Sequence, residues 1–186
     1  MFSKPSPGLD DFESAAMPHL TALYRTAKFL VHNLAEAEDL VQDVYLEALK
    51  SFHRFEPGTN CRAWLFRILF NRLHHLRRRQ MKASLEEPFT EQESFAAEPP
   101  VPQEIKDEDI LGALDKVPLA FREIVLMADI EGFSYKEIAE TLKLPVGTVM
   151  SRLSRGRRLL REELAGVAKS FGIRTGGKDA TGEELA

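Results

Sequence analysis

The residues best placed to do chemistry form one face of a predicted helix near the C-terminal end of the chain. Their hydroxyl and guanidinium groups recur at i, i+3, i+4 and i+7, on Thr148, Ser151, Arg152 and Arg155. The opposite face is apolar and holds Val149, Leu153, Gly156 and Leu160. Arg pairs with the edge of guanine, and Ser or Thr reaches base edges or phosphates. Because one face packs while the other presents these groups, the pattern predicts a helix that lies in the major groove of DNA.

The segment before this helix has the signals of a shorter helix and a tight turn. Ser134 followed by Glu137 is a capping box, which predicts that a helix begins directly after Ser134. Residues 143–145, Lys-Leu-Pro, predict the turn, because proline cannot continue a helix but suits the entry to the next one. We interpret Gly156 as a close packing contact, since mid-helix glycine costs about 1 kcal/mol relative to alanine. The stretch 133–164 therefore predicts a helix-turn-helix, with a plain amphipathic hairpin as the alternative.

Composition places the chain among ordinary soluble proteins. It has 186 residues, of which 44% are hydrophobic and 29% charged. It contains no apolar run near the length of about 18 residues that crosses a membrane, and no secretory signal pattern, so we expect no membrane insertion. A single cysteine, Cys61, excludes an internal disulfide and fits a reducing compartment. We therefore expect a cytoplasmic protein without a cofactor or a metal site.

The charge distribution indicates nucleic-acid binding although the net charge is −4. Basic residues without acids cluster at 72–82 and again at 143–161, while the acids crowd the segment between 86 and 109. Salt screens charge over about 10 Å, so phosphate attraction depends on local clusters rather than on the net charge. Two separate basic patches therefore predict two contacts with DNA.

Periodicity predicts helices over residues 10–32, 35–54, 61–82, 104–117 and 119–131, followed by the helix-turn-helix. Pro18 interrupts the first of them and predicts a kink or a late start. The polar, acidic stretch 83–103 contains four prolines, which is typical of a flexible linker, and 170–186 predicts a disordered tail. No strand pattern occurs. The predicted fold class is all-α: two small helical domains, 10–82 and 104–169, joined by the flexible acidic linker, the second a helix-turn-helix.

Three motifs, in this order, resemble those of the extracytoplasmic-function sigma factors. They are AEDLVQDVYLEALKSFHRF at 37–55, GTNCRAWLFRILFNRL at 58–73 and YKEIAETLKLPVGTVMSRLSRGRRLLREEL at 135–164. The resemblance covers residues 12–82 and 104–165. It implies a protein that binds core RNA polymerase and directs it to promoters, with 10–82 as a region-2-like domain and 104–169 as a region-4-like domain. The implied partners are promoter DNA, the clamp helices of the largest polymerase subunit and the flap of the second.

The resemblance also implies where polymerase docks. The helix at 37–52 corresponds to the one that contacts the clamp helices, and it carries a stripe distinct from its apolar face. This docking stripe consists of Asp39, Gln42, Asp43 and Leu46. From periodicity alone, an ordinary solvated acidic face is the alternative.

The loop at 55–62 and the helix after it resemble the part that melts and reads the minus-10 element. The residues implied for this role are Asn60, Arg62, Trp64, Arg67, Asn71, Arg72 and Arg77. Asn60 could hydrogen-bond a flipped base while the arginines follow the phosphates. Primary sigma factors carry two adjacent tryptophans at this point, where this chain has Trp64 and Leu65, which implies a reduced melting wedge. Trp64 could equally be a core residue.

The helix-turn-helix corresponds to the part that reads the minus-35 element as duplex. Met150, Ser151, Ser154 and Arg155 are the base-edge candidates, and Thr148, Arg152, Arg157 and Arg158 the phosphate candidates. Many relatives have Arg in place of Met150. Met there resembles the subgroup that responds to thiol-oxidative stress, whose members are held inactive by a zinc-binding anti-sigma factor. The chain itself lacks ligands for that zinc.

Two other functional classes are alternatives for the same sequence. The main alternative is a dimeric helix-turn-helix repressor or activator, with 10–82 as a dimerisation or sensing domain. An enzyme is disfavoured because no nucleophile set, glycine-rich phosphate loop or metal-ligand spacing accompanies the carboxylates. We expect Cys61 to be a small apolar residue rather than a redox sensor, and His74 and His75 to be surface polar residues.

Overall fold

The computed structural model of the protein describes residues 8–31, 33–86 and 107–170. Two segments of 3-10 helix interrupt the N-terminal half, at Met17–His19 and Phe52–Arg54. Within the described ranges all regular structure is helical. Its α-helices are α1 Leu9–Ala16, α2 Leu20–Leu30, α3 Leu34–Ser51, α4 Cys61–Glu86, α5 Asp107–Lys116, α6 Leu119–Val125, α7 Tyr135–Leu142 and α8 Val146–Ser170. The all-α prediction, with a C-terminal helix-turn-helix, is confirmed.

Two of the predicted helices differ from those in the structure. The interruption at Pro18 is present as the 3-10 turn that separates α1 from α2, as its ring predicts. The single helix predicted at 119–131 is wrong in its second half, because Leu126–Ile130 forms a π-helical turn. Helix α4 extends to Glu86, so the first residues of the predicted linker are helical. The remainder of that linker, 87–103, and the tail from 171 lie outside the described residues.

The N-terminal domain, helices α1–α4, is built around the apolar faces of α2, α3 and α4. Leu23 and Leu40 from the first two and Leu65 and Leu69 from the third are at most 1% exposed. Asn33 caps α3 by accepting a hydrogen bond from the Glu36 backbone N–H at 2.7 Å. Burial of these faces therefore fixes the direction of α3 and α4, which carry the predicted polymerase and DNA residues.

In the C-terminal domain, helices α5–α8, one glycine contact and one buried arginine hold the helices together. A Cβ built on Gly156 of α8 would lie 2.7 Å from Val125 Cγ2 and 3.2 Å from Phe121 Cβ, so α8 crosses α6 at a distance that only glycine permits. The close contact interpreted from the sequence is thereby confirmed. Arg122 is 5% exposed and pairs with Asp115 at 2.5 Å, which ties α6 to the end of α5.

The two domains pack directly against each other. Phe66 of α4 and Phe133, just before α7, make an edge-to-face contact with ring centroids 5.1 Å apart. A buried carboxylate from the C-terminal domain, Glu131, lies among side chains of the N-terminal domain. The sequence predicts two domains on a tether and no particular arrangement, so this interface is a finding of the structure.

Candidate nucleic-acid interface

The capping box positions the first helix of the helix-turn-helix. The Glu137 backbone N–H donates to Ser134 Oγ at 3.3 Å, and the Ser134 backbone N–H donates to Glu137 Oε2 at 2.9 Å. Hydrogen bonds from the Ser134 backbone and hydroxyl lower the pKa of the Glu137 carboxyl, because they stabilise its charged form. Helix α7 begins at Tyr135, as the capping box predicts.

The turn between α7 and α8 depends on one left-handed residue. Lys143 has a φ of 54°, in the region that usually favours glycine, and the next residue, Leu144, donates its backbone N–H to the Ala139 carbonyl at 2.9 Å. The Pro145 carbonyl then accepts from the Thr148 N–H at 2.9 Å, so α8 begins immediately after the proline. The sequence indicates the turn through its proline, but lysine carries no signal for a left-handed backbone.

Helix α8 packs by its apolar face and exposes the residues predicted to read duplex DNA. Val149 and Leu153 are at most 2% exposed, while Met150 is 53% exposed. Ser151, Ser154 and Arg155 are also exposed, and Thr148 and Arg152 are half-buried at the edge of the same face. Within the part of the chain that the structure describes, the Arg155 guanidinium forms no ion pair or hydrogen bond. These residues therefore lie together on the solvent-facing side of α8, where the Ser151 hydroxyl donates to the Thr148 carbonyl at 3.1 Å.

Two predicted phosphate contacts on α8 already have acidic neighbours. Arg157 donates to both oxygens of Asp129, from Nε at 3.0 Å and from Nη2 at 2.5 Å. The hydrogen bond to Asp129 raises the pKa of Arg157 above its ordinary value. Arg158 Nη1 lies 3.9 Å from Glu162 Oε1, both largely exposed. To bind Arg157, a phosphate would have to displace Asp129 or share the guanidinium with it. Arg158 is more accessible to a phosphate.

The docking stripe predicted for polymerase lies on the surface of α3. Asp39, Gln42 and Leu46 are exposed and Asp43 is half-buried, while the apolar face of the same helix is in the core. A cleft of about 490 Å³ between α3 and the C-terminal part of α4 is lined by Asp39, Asp43 and Arg77. The hydrogen bonds and ion pairs that join the C-terminal domain to Arg25, Thr26, Asn60, Arg62 and His74 do not involve α3.

An apolar groove adjoins the docking stripe. It lies between α1, α2 and α3, has a volume of about 680 Å³, and includes Leu46 from the stripe. Five of its apolar side chains are between 38% and 57% exposed: Leu9, Met17, Leu20, Leu46 and Leu49. Contiguous exposed apolar surface of this kind is typical of protein–protein contact. The sequence does not indicate this groove, because its residues come from three helices that only the fold brings together.

Two of the residues predicted to read the minus-10 element are held by the C-terminal domain. Asn60 caps α4, since its Oδ1 accepts from the Ala63 N–H at 3.0 Å, and its Nδ2 donates to Glu137 Oε1 at 2.9 Å. Arg62 Nη2 pairs with Glu131 Oε2, and the Arg62 guanidinium carbon lies 4.5 Å from the Phe133 ring centroid. The end of α4 that is predicted to read DNA therefore faces the C-terminal domain.

The tryptophan predicted for strand melting is also an aromatic packing residue. Trp64 is half-buried and lies against Phe55, with ring centroids 5.1 Å apart, and Phe52, at 6.2 Å. The Trp64 ring thus packs between α4 and the end of the preceding 3-10 turn. This arrangement gives Trp64 a packing function and leaves its partly exposed edge toward solvent.

The remaining predicted minus-10 residues continue along α4. Arg67 is half-buried and Asn71 is exposed. Arg72 pairs with Glu47 of α3 at 2.9 Å, and Arg77 donates to the Leu30 carbonyl at the end of α2 at 3.0 Å. Arg72 and Arg77 therefore also fasten α4 to its neighbours.

The residue that sequence reasoning missed most plainly is Glu131. Its side chain is 0% exposed and accepts from Arg25 Nη2 at 2.9 Å and from Thr26 Oγ1 at 2.9 Å, in addition to Arg62. The π-helical turn ends here, because the Glu131 N–H donates to the Leu126 carbonyl at 3.0 Å. A single acid after an apolar helix carries no sequence signal that distinguishes it from a solvated one.

Two further residues bear on function. His74 Nε2 lies 2.5 Å from Glu123 Oε1, across the domain interface, and this hydrogen bond raises the pKa of His74. His74 is therefore an interface residue rather than a plain surface one.

Burial raises the pKa of the Cys61 thiol, which disfavours the reactive thiolate. Among the described residues, no cluster of His, Cys, Asp and Glu could hold a metal ion, and no helix is long and apolar enough to cross a membrane.

Comparison with known proteins identifies a family for each half of the chain. The sigma-70 region 2 family matches residues 16–83, and the sigma-70 region 4 family matches residues 107–160. Among similar proteins, the ECF RNA polymerase sigma factor EcfG of Rhodopseudomonas palustris is 34% identical, over 78% of this chain and 79% of its own length. The ECF sigma factor SigE of Mycolicibacterium smegmatis is 38% identical over 82% of this chain, which spans 64% of SigE.

Solved structures show the same fold. The sigma factor RpoE of Bartonella quintana, determined with the anti-sigma factor NepR, superimposes with a TM-score of 0.73 at 33% identity, covering 84% of this chain and 98% of RpoE. CnrH, determined with the cytosolic domain of CnrY, gives 0.66 at 27% identity, covering 87% of this chain and 92% of CnrH.

The fold and the exposed faces thus define a two-domain, helix-turn-helix DNA-binding protein. The chain belongs to the extracytoplasmic-function family of RNA polymerase sigma factors, which are transcription initiation factors and not enzymes.

Proposed function

We propose that this protein binds core RNA polymerase and reads both promoter elements, the minus-10 element with α4 and the minus-35 element with α8. The observation that carries the proposal is the exposed face of α8 at Met150, Ser151, Ser154 and Arg155, opposite the apolar face on which Val149 and Leu153 are buried. A helix with that division can enter the major groove without losing its support. The proposed domain functions follow the expected boundaries, 10–82 for minus-10 and 104–169 for minus-35.

Polymerase docking is the second part of the proposal. The docking stripe on α3 offers two carboxylates, an amide and one exposed leucine beside an apolar groove. A partner with basic side chains flanking an apolar row would complement both features. The proposed partner here is the clamp-helix coiled coil of the largest subunit, with the flap of the second subunit contacting the C-terminal domain. This assignment places the protein in the cytoplasm, where polymerase acts.

Control by an anti-sigma factor is the third part. RpoE was determined with an anti-sigma factor and CnrH with the cytosolic domain of CnrY, and the apolar groove of this chain is a surface that an anti-sigma factor could cover. An inhibitor on the groove would overlap the docking stripe at Leu46 and so exclude polymerase. The subgroup resemblance at Met150 favours an inhibitor of the zinc-binding, thiol-responsive kind, with oxidation of the inhibitor as the inducing signal.

Solution mass and polymerase binding test this proposal against a dimeric regulator. The chain has a mass of 21.0 kDa, so a monomer and a symmetric dimer separate clearly by light scattering. We expect a monomer that forms a stable complex with purified bacterial core RNA polymerase on size-exclusion chromatography. A dimer that binds a palindromic DNA site and does not comigrate with core enzyme would favour the repressor or activator instead.

A further inference from the structure

One of the arginines predicted to contact phosphate is held by a carboxylate on another element of the C-terminal domain. Arg157 of α8 donates to both oxygens of Asp129, from Nε at 3.0 Å and from Nη2 at 2.5 Å. The two residues are 28 positions apart, so the contact belongs to the tertiary structure of the domain rather than to one helix. The Arg157 side chain is 46% exposed and the Asp129 side chain 33% exposed. A DNA phosphate can therefore reach the pair from solvent.

The backbone places Asp129 beside α8 through the π-helical turn at Leu126–Ile130. Leu126 and Met127 of this turn are at most 2% exposed and fix it in the core, while Asp129 lies on its exposed side. Turns of this kind are rare and occur frequently at functional sites. The position of the carboxylate is therefore set by the fold and not only by the side chain itself.

The hydrogen bonds to Asp129 use one edge of the Arg157 guanidinium. Because arginine has five N–H donors and Asp129 binds Nε and Nη2, Nη1 and the second N–H of Nη2 point away from the carboxylate. Such an edge can bind two phosphate oxygens side by side. Arg157 also lines a cleft of about 500 Å³ together with Met150 and Ser154, two of the base-edge candidates. A phosphate at this edge would therefore lie next to the predicted reading face.

We propose that Asp129 is a positioning residue for the minus-35 contact: it directs Arg157 toward one phosphate and limits the attraction of Arg157 to DNA of any sequence. The inference deepens the proposed function and rests on it, because Arg157 needs direction only if α8 reads duplex DNA. A side chain that is already held loses little conformational freedom when the phosphate binds. The adjacent negative charge weakens attraction to phosphates elsewhere, and that attraction carries no sequence information.

The next arginine along α8 lacks such a partner. Arg158 Nη1 lies 3.9 Å from Glu162 Oε1, which is too long for a hydrogen bond, and both side chains are largely exposed. Arg158 is therefore free to follow phosphates in many positions, whereas Arg157 offers a phosphate one orientation. The two arginines are adjacent in the sequence but should contribute differently to DNA affinity.

The test titrates the full-length protein with a labelled random-sequence duplex DNA pool at several salt concentrations, followed by fluorescence anisotropy. Asp129→Asn keeps the shape of the side chain and removes the charge that holds Arg157. We expect D129N to bind the pool about threefold to tenfold more tightly than wild type, with a slope of log affinity against log salt steeper by about 0.9, the value for one more phosphate contact. Glu162→Gln removes the same charge without releasing a hydrogen-bonded arginine, and should change the affinity by less than about twofold.

A second variant separates positioning from a contact that only stabilises the fold. Arg157→Gln breaks the same ion pair from its other side, so a merely structural contact predicts that both variants change DNA affinity in the same direction. We expect opposite directions, with tighter binding by D129N and weaker binding by R157Q. In the double variant the gain from D129N should disappear, because Asp129 acts through Arg157. Urea denaturation of each variant shows that it is folded.

Three results would overturn the proposal. They are a similar loss of affinity in both single variants, an unchanged affinity and salt slope in D129N, and a gain from D129N that persists in the absence of Arg157. The titrations contain no polymerase, and a dimeric regulator would also read duplex DNA with α8. A failure of the sigma-factor assignment therefore appears separately, as an absence of binding to core enzyme.

Discussion

Arg62 and Glu131 are 69 positions apart in the chain and form a salt bridge in which the carboxylate is completely buried. The arginine is on the helix assigned to the minus-10 element, and the glutamate follows the π-helical turn of the other domain. One pair of side chains thus connects a residue proposed to read DNA with the arrangement of the domains. A substitution at this interface should therefore alter both DNA affinity and overall dimensions, which are separate properties in proteins whose domains are independent.

Arg155 should specify one position of the minus-35 element. Its guanidinium is exposed on the reading face of α8 and is unpaired among the described residues, so it is available for a bidentate contact with guanine. We expect Arg155→Ala to cost about 1–3 kcal/mol at one base pair and to relax the preference there. Transcription from a promoter library randomised at the minus-35 element measures this. Equal weakening on every sequence would make Arg155 a phosphate contact.

Asp43 should matter for polymerase rather than for folding. It is half-buried within the docking stripe and faces the cleft between α3 and α4. We expect Asp43→Arg to weaken binding to core polymerase by about tenfold or more, because a repulsive charge replaces an attractive one. Titration of labelled protein with core enzyme measures the affinity. Glu140→Arg makes the same charge change at an exposed position of α7 and should bind normally, and unaltered binding of D43R would show that the stripe is misassigned.

Gly156 should tolerate no side chain. A Cβ there would lie 2.7 Å from Val125 Cγ2, and Phe121 leaves no space on the other side, so α6 and α8 would have to move apart. We expect Gly156→Ala to lower the free energy of unfolding by about 1–3 kcal/mol, measured by urea denaturation.

Two companion variants separate this contact from the general effect of glycine in a helix. Val125→Ala should partly restore the stability of G156A, because it removes the methyl group that clashes. Gly147→Ala, near the start of α8, has nothing within 4 Å of its new Cβ and should be neutral or slightly stabilising. Equal losses at the two glycines would contradict a packing origin.

The domain interface should weaken as the pH rises through neutrality. The hydrogen bond to Glu123 raises the pKa of His74, while burial and the nearby Arg78 oppose it. Because the pKa of His74 is higher while the two domains are packed together, the stability that the His74–Glu123 contact contributes is fully present below the ordinary value of 6.5 and is lost as the pH rises through the raised value. Scattering between about pH 6 and pH 8 should show expansion of the wild type. His74→Gln should abolish that pH dependence, whereas His75→Gln, at the exposed neighbouring histidine, should preserve it.

Local structure was predictable from the sequence where all the interacting residues belong to one short segment. The Ser134–Glu137 capping box places the start of α7, Pro18 breaks the first helix, and the apolar spacing on α8 places its packed face. In each case the interacting groups are within a few residues of each other, so periodicity and capping rules suffice.

The parts that could not be predicted depend on distant partners. Glu131 is followed by glycine and resembles any solvated acid until α2 and α4 are placed around it. His74 likewise acquires its partner, Glu123, 49 positions away. The left-handed Lys143 and the π-helical turn at 126–130 were missed because neither a lysine nor an apolar run carries a sequence signal for these conformations.

Run-off transcription tests the central assignment most directly. Purified core RNA polymerase would be incubated with a pool of genomic promoter fragments from the source organism, with and without the protein. If the protein is a sigma factor, discrete transcripts appear only when it is present, and their start sites align on a shared pair of elements. An absence of protein-dependent transcripts, with no binding to core enzyme, would contradict the account and leave only a helix-turn-helix DNA-binding protein.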